Sequence, residues 1–267
     1  MDTLRSFMIW FVVEAAILLV FIGLFMAALQ FGYRLGLRQQ ASSGEPDKTH
    51  ANALHGAVLG LLALLLGFTF AMSVSRYENR KTLMVDQANA IGTAALRGKL
   101  LPAPHAERAT ALFREYIETR FLYNASVRGS TGVDEAEARA GRIENELWEI
   151  SRVLLTEDPR SQPASLYTQA LNEMFDIREK RRFALDDHVP LAVTIMLVAV
   201  AMTAMGLVAY AGGLNGRRHF LSNFTFAFLI ALVLVIILDI DAPRVGFVKA
   251  SQDSLIRLDD SLTPAPD

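Results

Sequence analysis

Hydrophobic positions in this chain fall into four long runs, at 8–31, 54–74, 189–211 and 220–240. A bilayer core needs about 20 apolar residues per helix, and each run meets that length. Between the second and third runs, over 76–187, apolar residues thin out and recur at helical spacing instead. The pattern predicts an all-α integral membrane protein with four transmembrane helices. A cytoplasmic helical bundle is inserted between the second and third. The expected organisation is helices 1 and 2 within 1–75, the helical domain within 76–188, helices 3 and 4 within 189–241, and a tail over 242–267 that packs on the helical domain.

The segment 35–50, LGLRQQASSGEPDKTH, is rich in turn formers and predicts a short extracytoplasmic loop. After it no proline occurs from Leu54 to Leu101, and Pro102 is the first clear terminator. One helix of roughly 47 residues, about 70 Å at 1.5 Å per residue, is therefore expected, of which the bilayer takes only about 30 Å. Beyond it, Ala109, Leu112, Phe113, Tyr116 and Ile117 mark one apolar helical face. Ile143, Leu147, Ile150 and Leu154 mark a second, and Leu166, Ala170, Met174 and Ile177 a third. Breaks are expected at 126–133 (SVRGSTGV) and 158–163 (DPRSQP). No useful β-alternation appears, so these faces must bury against one another as a helical bundle. The tail, with Val245, Phe247, Val248, Leu255, Ile256, Leu258 and Leu262, is amphipathic and predicts packing against that bundle.

The chain is 52% hydrophobic, with a formal net charge of −2 and no cysteine. The charge balance and the lack of a basic domain argue against nucleic acid as a partner. Disulfides, thiolate catalysis and cysteine-bound metals are excluded. The first apolar run is longer than a signal-peptide core of about 7–15 residues and reads as a retained helix. Arg5, Arg76, Arg80, Lys81, Arg178, Lys180, Arg181, Arg182, Arg244, Lys249 and Arg257 fall on one side of the four crossings. Arg34, Arg38, Lys48, Arg217 and Arg218 fall on the other. Positive residues favour the cytoplasm, so the central domain and both termini are expected there, in a multi-pass inner-membrane protein.

Several residues invite a chemical reading beside a structural one. Gly60, Leu64 and Phe68 are spaced i, i+4, i+8 and share one helical face, which lipid contact alone would explain. Arg76, Tyr77, Glu78, Arg80 and Lys81 mark the membrane exit, where Tyr and Lys/Arg anchor at headgroup depth. Arg76 and Arg80 repel at i, i+4 and need acidic partners; Glu173, Asp176 and Glu179 are the expected ones. A cationic ring at a pore mouth is the other reading. Glu14 lies inside the first crossing and is expected as an interfacial or paired acid, with a protonatable or ion-coordinating role as the alternative. Asp239 and Asp241 oppose the negative pole of the fourth helix and call for compensation, by Arg244, another cation or Ca²⁺. His50, His55, His105, His188 and His219 are scattered without metal spacing, so no metal is expected. No nucleophile elbow, Walker loop, dinucleotide fingerprint or HExxH motif appears, so neither an enzyme nor a cofactor is expected.

Two segments carry a family resemblance: 64–95, LLLGFTFAMSVSRYENRKTLMVDQANAIGTAA, and 238–258, LDIDAPRVGFVKASQDSLIRL. In the first, an apolar Gly-Phe helix leads into Arg-Tyr-Glu-x-Arg-Lys. Together with the four-crossing plan they resemble the bestrophin-like family of bacterial membrane proteins, distantly similar to bestrophin channels. Tyr77 stands alone where true bestrophins carry two aromatics. The resemblance implies a homo-oligomeric channel, pentameric as in bestrophins, passing inorganic anions through a hydrophobic neck lined by the second helix. Carried over, Phe68 matches the innermost neck aromatic and Leu64 the position one turn earlier. Gly60 stands at the next, where a bulky residue is the family pattern. The alternative, from another class, is a non-conducting membrane scaffold or sensor whose helical domain binds a cytoplasmic partner. A third class, a transporter with broken helices, draws only on Glu14 and Pro190.

Overall fold

The computed structural model describes the backbone of residues 2–126, 131–242 and 253–262, with the side chains of all of these except 2–10, 46 and 262. Among the described residues the chain is all helical, with no strand. The elements are α1 (Asp2–Gln39), α2 (Glu45–Gly98), α3 (His105–Ala125), α4 (Thr131–Glu157), α5 (Gln162–Asp186), α6 (Leu191–Leu214), α7 (Phe220–Asp241) and α8 (Asp253–Leu262). Four stretches are long and apolar enough to cross a membrane, within Phe11–Gln39, Asp47–Gly98, Gln162–Leu214 and Phe220–Asp241.

The expected loop over 35–50 is corrected to a short turn, because helix occupies both of its ends. Leu35, Gly36 and Leu37 continue α1, which closes on Arg38 beside the negative pole of its last turn. Ser42 and Ser43 hydroxyls then donate to the Gln39 carbonyl. Glu45 and Asp47 are not loop residues but the acidic first turn of α2. The Asp47 carboxylate accepts the Gly44 N–H at 2.9 Å, which is helix-start chemistry. The long helix thus has 54 residues rather than about 47, about 80 Å at 1.5 Å per residue. At its other end it stops at Gly98, three residues before the expected limit, in turns that lead to Pro102. In the expected break at 126–133, Thr131, Gly132 and Val133 already belong to α4. The tail residues Val245, Phe247 and Val248, and also Arg5, Arg244 and Lys249, lie outside the described side chains.

The chain forms two compact units. The first contains α1, α2 as far as Ser75, α6 and α7. Its spine is the pairing of α1 with α6, made possible by glycine. A Cβ added at Gly32 would lie 2.0 Å from the Gly206 carbonyl oxygen, and one at Gly36 2.3 Å from that of Tyr210. One at Gly213 would lie 2.5 Å from the Tyr33 carbonyl oxygen. Backbones so close gain dispersion contacts that larger residues would forbid, the usual source of helix association in lipid. Phe25, Leu29, Leu197, Ala201, Ala204 and Met205 fill the core beside this seam, with Ala227, Ala231 and Leu234 from α7 and Leu62 and Leu66 from α2.

The second unit contains Arg76–Asp187 and α8. All five residues of the first apolar stripe, from Ala109 to Ile117, are buried in its core. So are Ile143, Leu147, Ile150, Leu154, Ala170 and Met174, while Leu255 and Leu258 of α8 join the same core. α5 begins with Ser161 as N-cap, accepting from the Ala164 N–H at 3.4 Å, and Pro163 in the first turn.

Inside this apolar packing runs a charged network from α3, α4 and α5. Arg178 pairs with both Glu137 and Glu144, Arg120 pairs with Glu137 at 3.3 Å, and the Tyr116 hydroxyl donates to Glu144 at 2.8 Å. The Arg120 guanidinium also lies 5.1 Å from the ring centres of Tyr116 and Tyr123. The two acids respond differently. Burial opposes ionisation of Glu137, but hydrogen bonding to Arg178 and the charge of Arg120 outweigh it and hold the carboxyl below its ordinary range. At Glu144 burial prevails over Arg178 and pushes the carboxyl up.

Two outcomes follow from these packings. Gly32→Ala should destabilise the protein by about 3 kcal/mol, the upper range for overpacking against backbone, and lower its melting temperature in detergent. Gly23→Ala, where an added Cβ meets nothing within 4 Å, should leave melting unchanged. Arg178→Met should destabilise the second unit by on the order of 3 kcal/mol, because two part-buried carboxylates lose a shared cation. Urea unfolding followed by circular dichroism reads that loss; Arg152→Met, on an exposed pair, should cost far less.

Candidate functional site

The candidate site is built on α2. Its inner face carries Leu62, Leu66, Thr69 and Ser73, all buried. Its outer face carries Gly60, Leu64 and Phe68. A Cβ added at Gly60 meets nothing within 4 Å, Leu64 is 54% exposed and Phe68 66%. The three therefore project away from the protomer on one face, which also holds Ala53, Gly56, Ala57, Ala63, Gly67 and Ala71. Leu54, Leu61 and Phe70 are exposed to its sides. This composition differs from other outward surfaces of the unit. The exposed residues of α1 include Phe11, Val12, Leu19, Val20 and Phe31, and those of α6 and α7 include Leu191, Ile195, Leu221 and Leu229. Bulky side chains suit lipid tails; small ones let another backbone or an open space lie close.

At Arg76 and Arg80 the helix carries two cations on its inner face. Arg80 is 4% exposed. It donates from Nε to the Ala184 carbonyl at 3.1 Å and from Nη2 to the Asp187 carbonyl at 3.0 Å. Arg76 Nε lies 3.1 Å from the Asp187 carboxylate. The compensation expected from Glu173, Asp176 and Glu179 thus falls on Asp187 and on the last carbonyls of α5; Glu179 pairs with Arg182. The physical reason is that a helix C-terminus is itself an acceptor, with orphan carbonyls and a negative pole. Arg181, 5% exposed, extends the arrangement by donating to Gln87 Oε1 at 2.6 Å and Asn124 Oδ1 at 2.5 Å. Tyr77 is half-buried, and Glu78 and Lys81 are exposed.

Glu14 is buried within α1. Asp239 and Asp241 are buried at the end of α7. The Asp241 carboxylate accepts the Val189 N–H at 2.9 Å, and His188 Nδ1 donates to the Asp241 carbonyl at 3.1 Å. Two groups at the start of α6 thus lie against Asp241, the Val189 N–H and the His188 ring, whose Nδ1 is 3.6 Å from the carboxylate. Pairing of Asp241 with Arg244 lies outside the described residues. Among the described residues no three His, Asp or Glu side chains converge as metal ligands. Sequence reasoning missed Asp187 and His188 as partners. The only signal was their place beside Pro190, where a helix end needs capping.

Arg80→Met should destabilise the second unit by about 1–2 kcal/mol, since it removes a charged donor from two part-buried hydrogen bonds at the end of α5. Arg80→Lys, which keeps charge but loses the planar fork, should restore less than half of that loss. Thermal melting of the three proteins side by side checks both.

With the geometry in place, comparison identifies the relatives. The sequence model of the bestrophin-like domain matches residues 21–255. No curated protein matches the chain. A solved bacterial bestrophin homologue from Klebsiella pneumoniae is 16% identical and superposes with a TM-score of 0.65, covering 93% of this chain and 96% of its own. A single-residue variant of a bestrophin homologue from Klebsiella pneumoniae gives 15% identity and a TM-score of 0.58, over 89% and 97% of the two chains. A crystal structure of a membrane protein with one proline replaced by alanine gives 17% identity and a TM-score of 0.65, over 93% and 97%. At such identity the structures establish a shared fold, and the family model, which spans most of the sequence, establishes that this chain belongs to the bestrophin-like family.

Proposed function

We propose that the protein is a homo-oligomeric ion channel of the inner membrane, conducting inorganic anions through a neck formed by the outer faces of α2. The carrying observation is the composition of that face. Gly60, Leu64 and Phe68 stand on it among glycines and alanines, whereas bulky residues outnumber small ones such as Ala16, Gly23 and Ala192 on the exposed surfaces of α1, α6 and α7. Membership of the bestrophin-like family supports the reading. In a symmetric assembly, pentameric by analogy with bestrophins, Leu64 and Phe68 would stack as apolar rings that gate by dewetting. Gly60 would leave the third level wide. In this reading the four apolar helices cross the bilayer, the second helical unit is cytoplasmic, and both termini share its side.

Arg76 and Arg80 then act as positioning residues. Both are engaged with the end of α5, so neither is spare to concentrate anions at a pore mouth. The competing scaffold or sensor reading requires no neck, and oligomer mass distinguishes the two.

Purified protein in a planar bilayer under a KCl gradient should show unitary currents reversing near the chloride potential. Phe68→Ala and Leu64→Ala should raise conductance or open probability several-fold. Reversal near the potassium potential would retain the channel and overturn the anion assignment. A monomer or dimer by mass, silent in the bilayer, would favour the scaffold.

A further inference from the structure

The first unit contains a polar cavity away from the α2 outer face, of about 600 Å³. It is lined by Tyr33 of α1, Asn52 and His55 of α2, Asn215, Arg217 and His219 of the α6–α7 connection, and Asn223 of α7. Three cationic or protonatable side chains come from two places, His55 from α2 and Arg217 and His219 from the α6–α7 connection, and no carboxylate is in the lining. His219 is the N-cap residue of α7, so the positive pole of that helix adds to the same field.

The state of the side chains sharpens this. His55 Nε2 is buried and without a hydrogen-bond partner. Such a group is normally satisfied, by protein or by something bound. The neighbouring arginines contrast. Arg218 is occupied, donating to Gln30 Oε1 at 3.0 Å and lying 5.6 Å from the Tyr33 ring centre. Arg217 has no ionic or side-chain hydrogen-bond partner among the described residues, and it borders the cavity. On α2, His55 is five, nine and thirteen residues from Gly60, Leu64 and Phe68. At 100° per residue this puts it about 140–220° around the helix from them. The cavity is therefore not a portion of the neck face.

We propose that this cavity is a binding site for a small oxyanion, a carboxylate- or phosphate-bearing solute. Arg217 supplies the charged fork, His55 a buried ring nitrogen, and Asn52 and Asn223 amide donors. A planar guanidinium matches two oxygens of either group. The volume admits a small organic acid with room for water, and it is far larger than a halide needs. The proposal does not rest on conduction and stands whether or not the chain forms a pore.

Isothermal titration calorimetry of the full chain in detergent tests it, with sodium succinate and inorganic phosphate as probes at chloride-matched ionic strength. Saturable binding of at least one is expected. Arg217→Gln should weaken it at least tenfold, Arg217→Lys should fall between, and Arg218→Gln should stay within about threefold of the unaltered protein. These side chains are exposed, and unchanged melting of each variant verifies folding. Succinate alone would assign a carboxylate ligand, and phosphate alone a phosphate one. The proposal is overturned if neither probe gives a saturable heat, if Arg217→Gln binds as the unaltered protein does, or if Arg218→Gln weakens binding equally.

Discussion

The contact of bare backbones between α1 and α6 is the constraint around which the first unit is organised. In a bilayer the solvent is as apolar as the side chains, so expelling apolar surface gains little, and association depends on close fit. Gly32, Gly36 and Gly213 provide that fit by omission, since any side chain there would meet a carbonyl or another Cα. With α1 and α6 locked in this way, α7 adds its alanines and Leu234 to the same core, and α2 contributes only Leu62, Leu66 and their neighbours. The opposite side of α2 is left outward, carrying the small residues beside Leu64 and Phe68.

The second unit obeys other physics. Its core is conventional apolar packing, but a chain of arginines and glutamates runs through it. Arg120 is 1% exposed, lies 5.1 Å from the ring centres of Tyr116 and Tyr123 and pairs with Glu137. Such networks contribute little net stability compared with apolar substitutes, but a partly dismantled one is strongly unfavourable. Here Arg120 ties α3 to α4, and Arg178 ties α5 to the same helix through Glu137 and Glu144.

Much of this was legible in the sequence because helical periodicity is local information. The stripes beginning at Ala109 and Ile143 are buried as their spacing predicts, and the Gly60, Leu64, Phe68 face is one face. The start of α2 was misread because Ser, Gly, Glu and Asp serve turns and helix starts equally well. The Ala184 and Asp187 partners of Arg80 were illegible for a deeper reason: they are main-chain carbonyls, which every residue possesses and no side chain advertises. The same holds for Asp241 and the Val189 N–H. The polar cavity gathers His55, Arg217 and His219 from segments far apart in the chain, with no motif to connect them. A neck formed between copies is a further step removed, and its residues are assigned through family resemblance.

The Asp241 contact has a consequence for the order in which the protein is made. The Val189 N–H is a donor at the threshold of α6, and its acceptor lies 52 residues further along. A ribosome releases α6 well before it releases that carboxylate. Until the end of α7 arrives, the start of α6 must satisfy its donor with water, and the buried acid cannot precede its partner. Within the first unit this pair therefore closes only when the end of α7 has been made, and a chain truncated within α7 would lack the acceptor for the Val189 N–H.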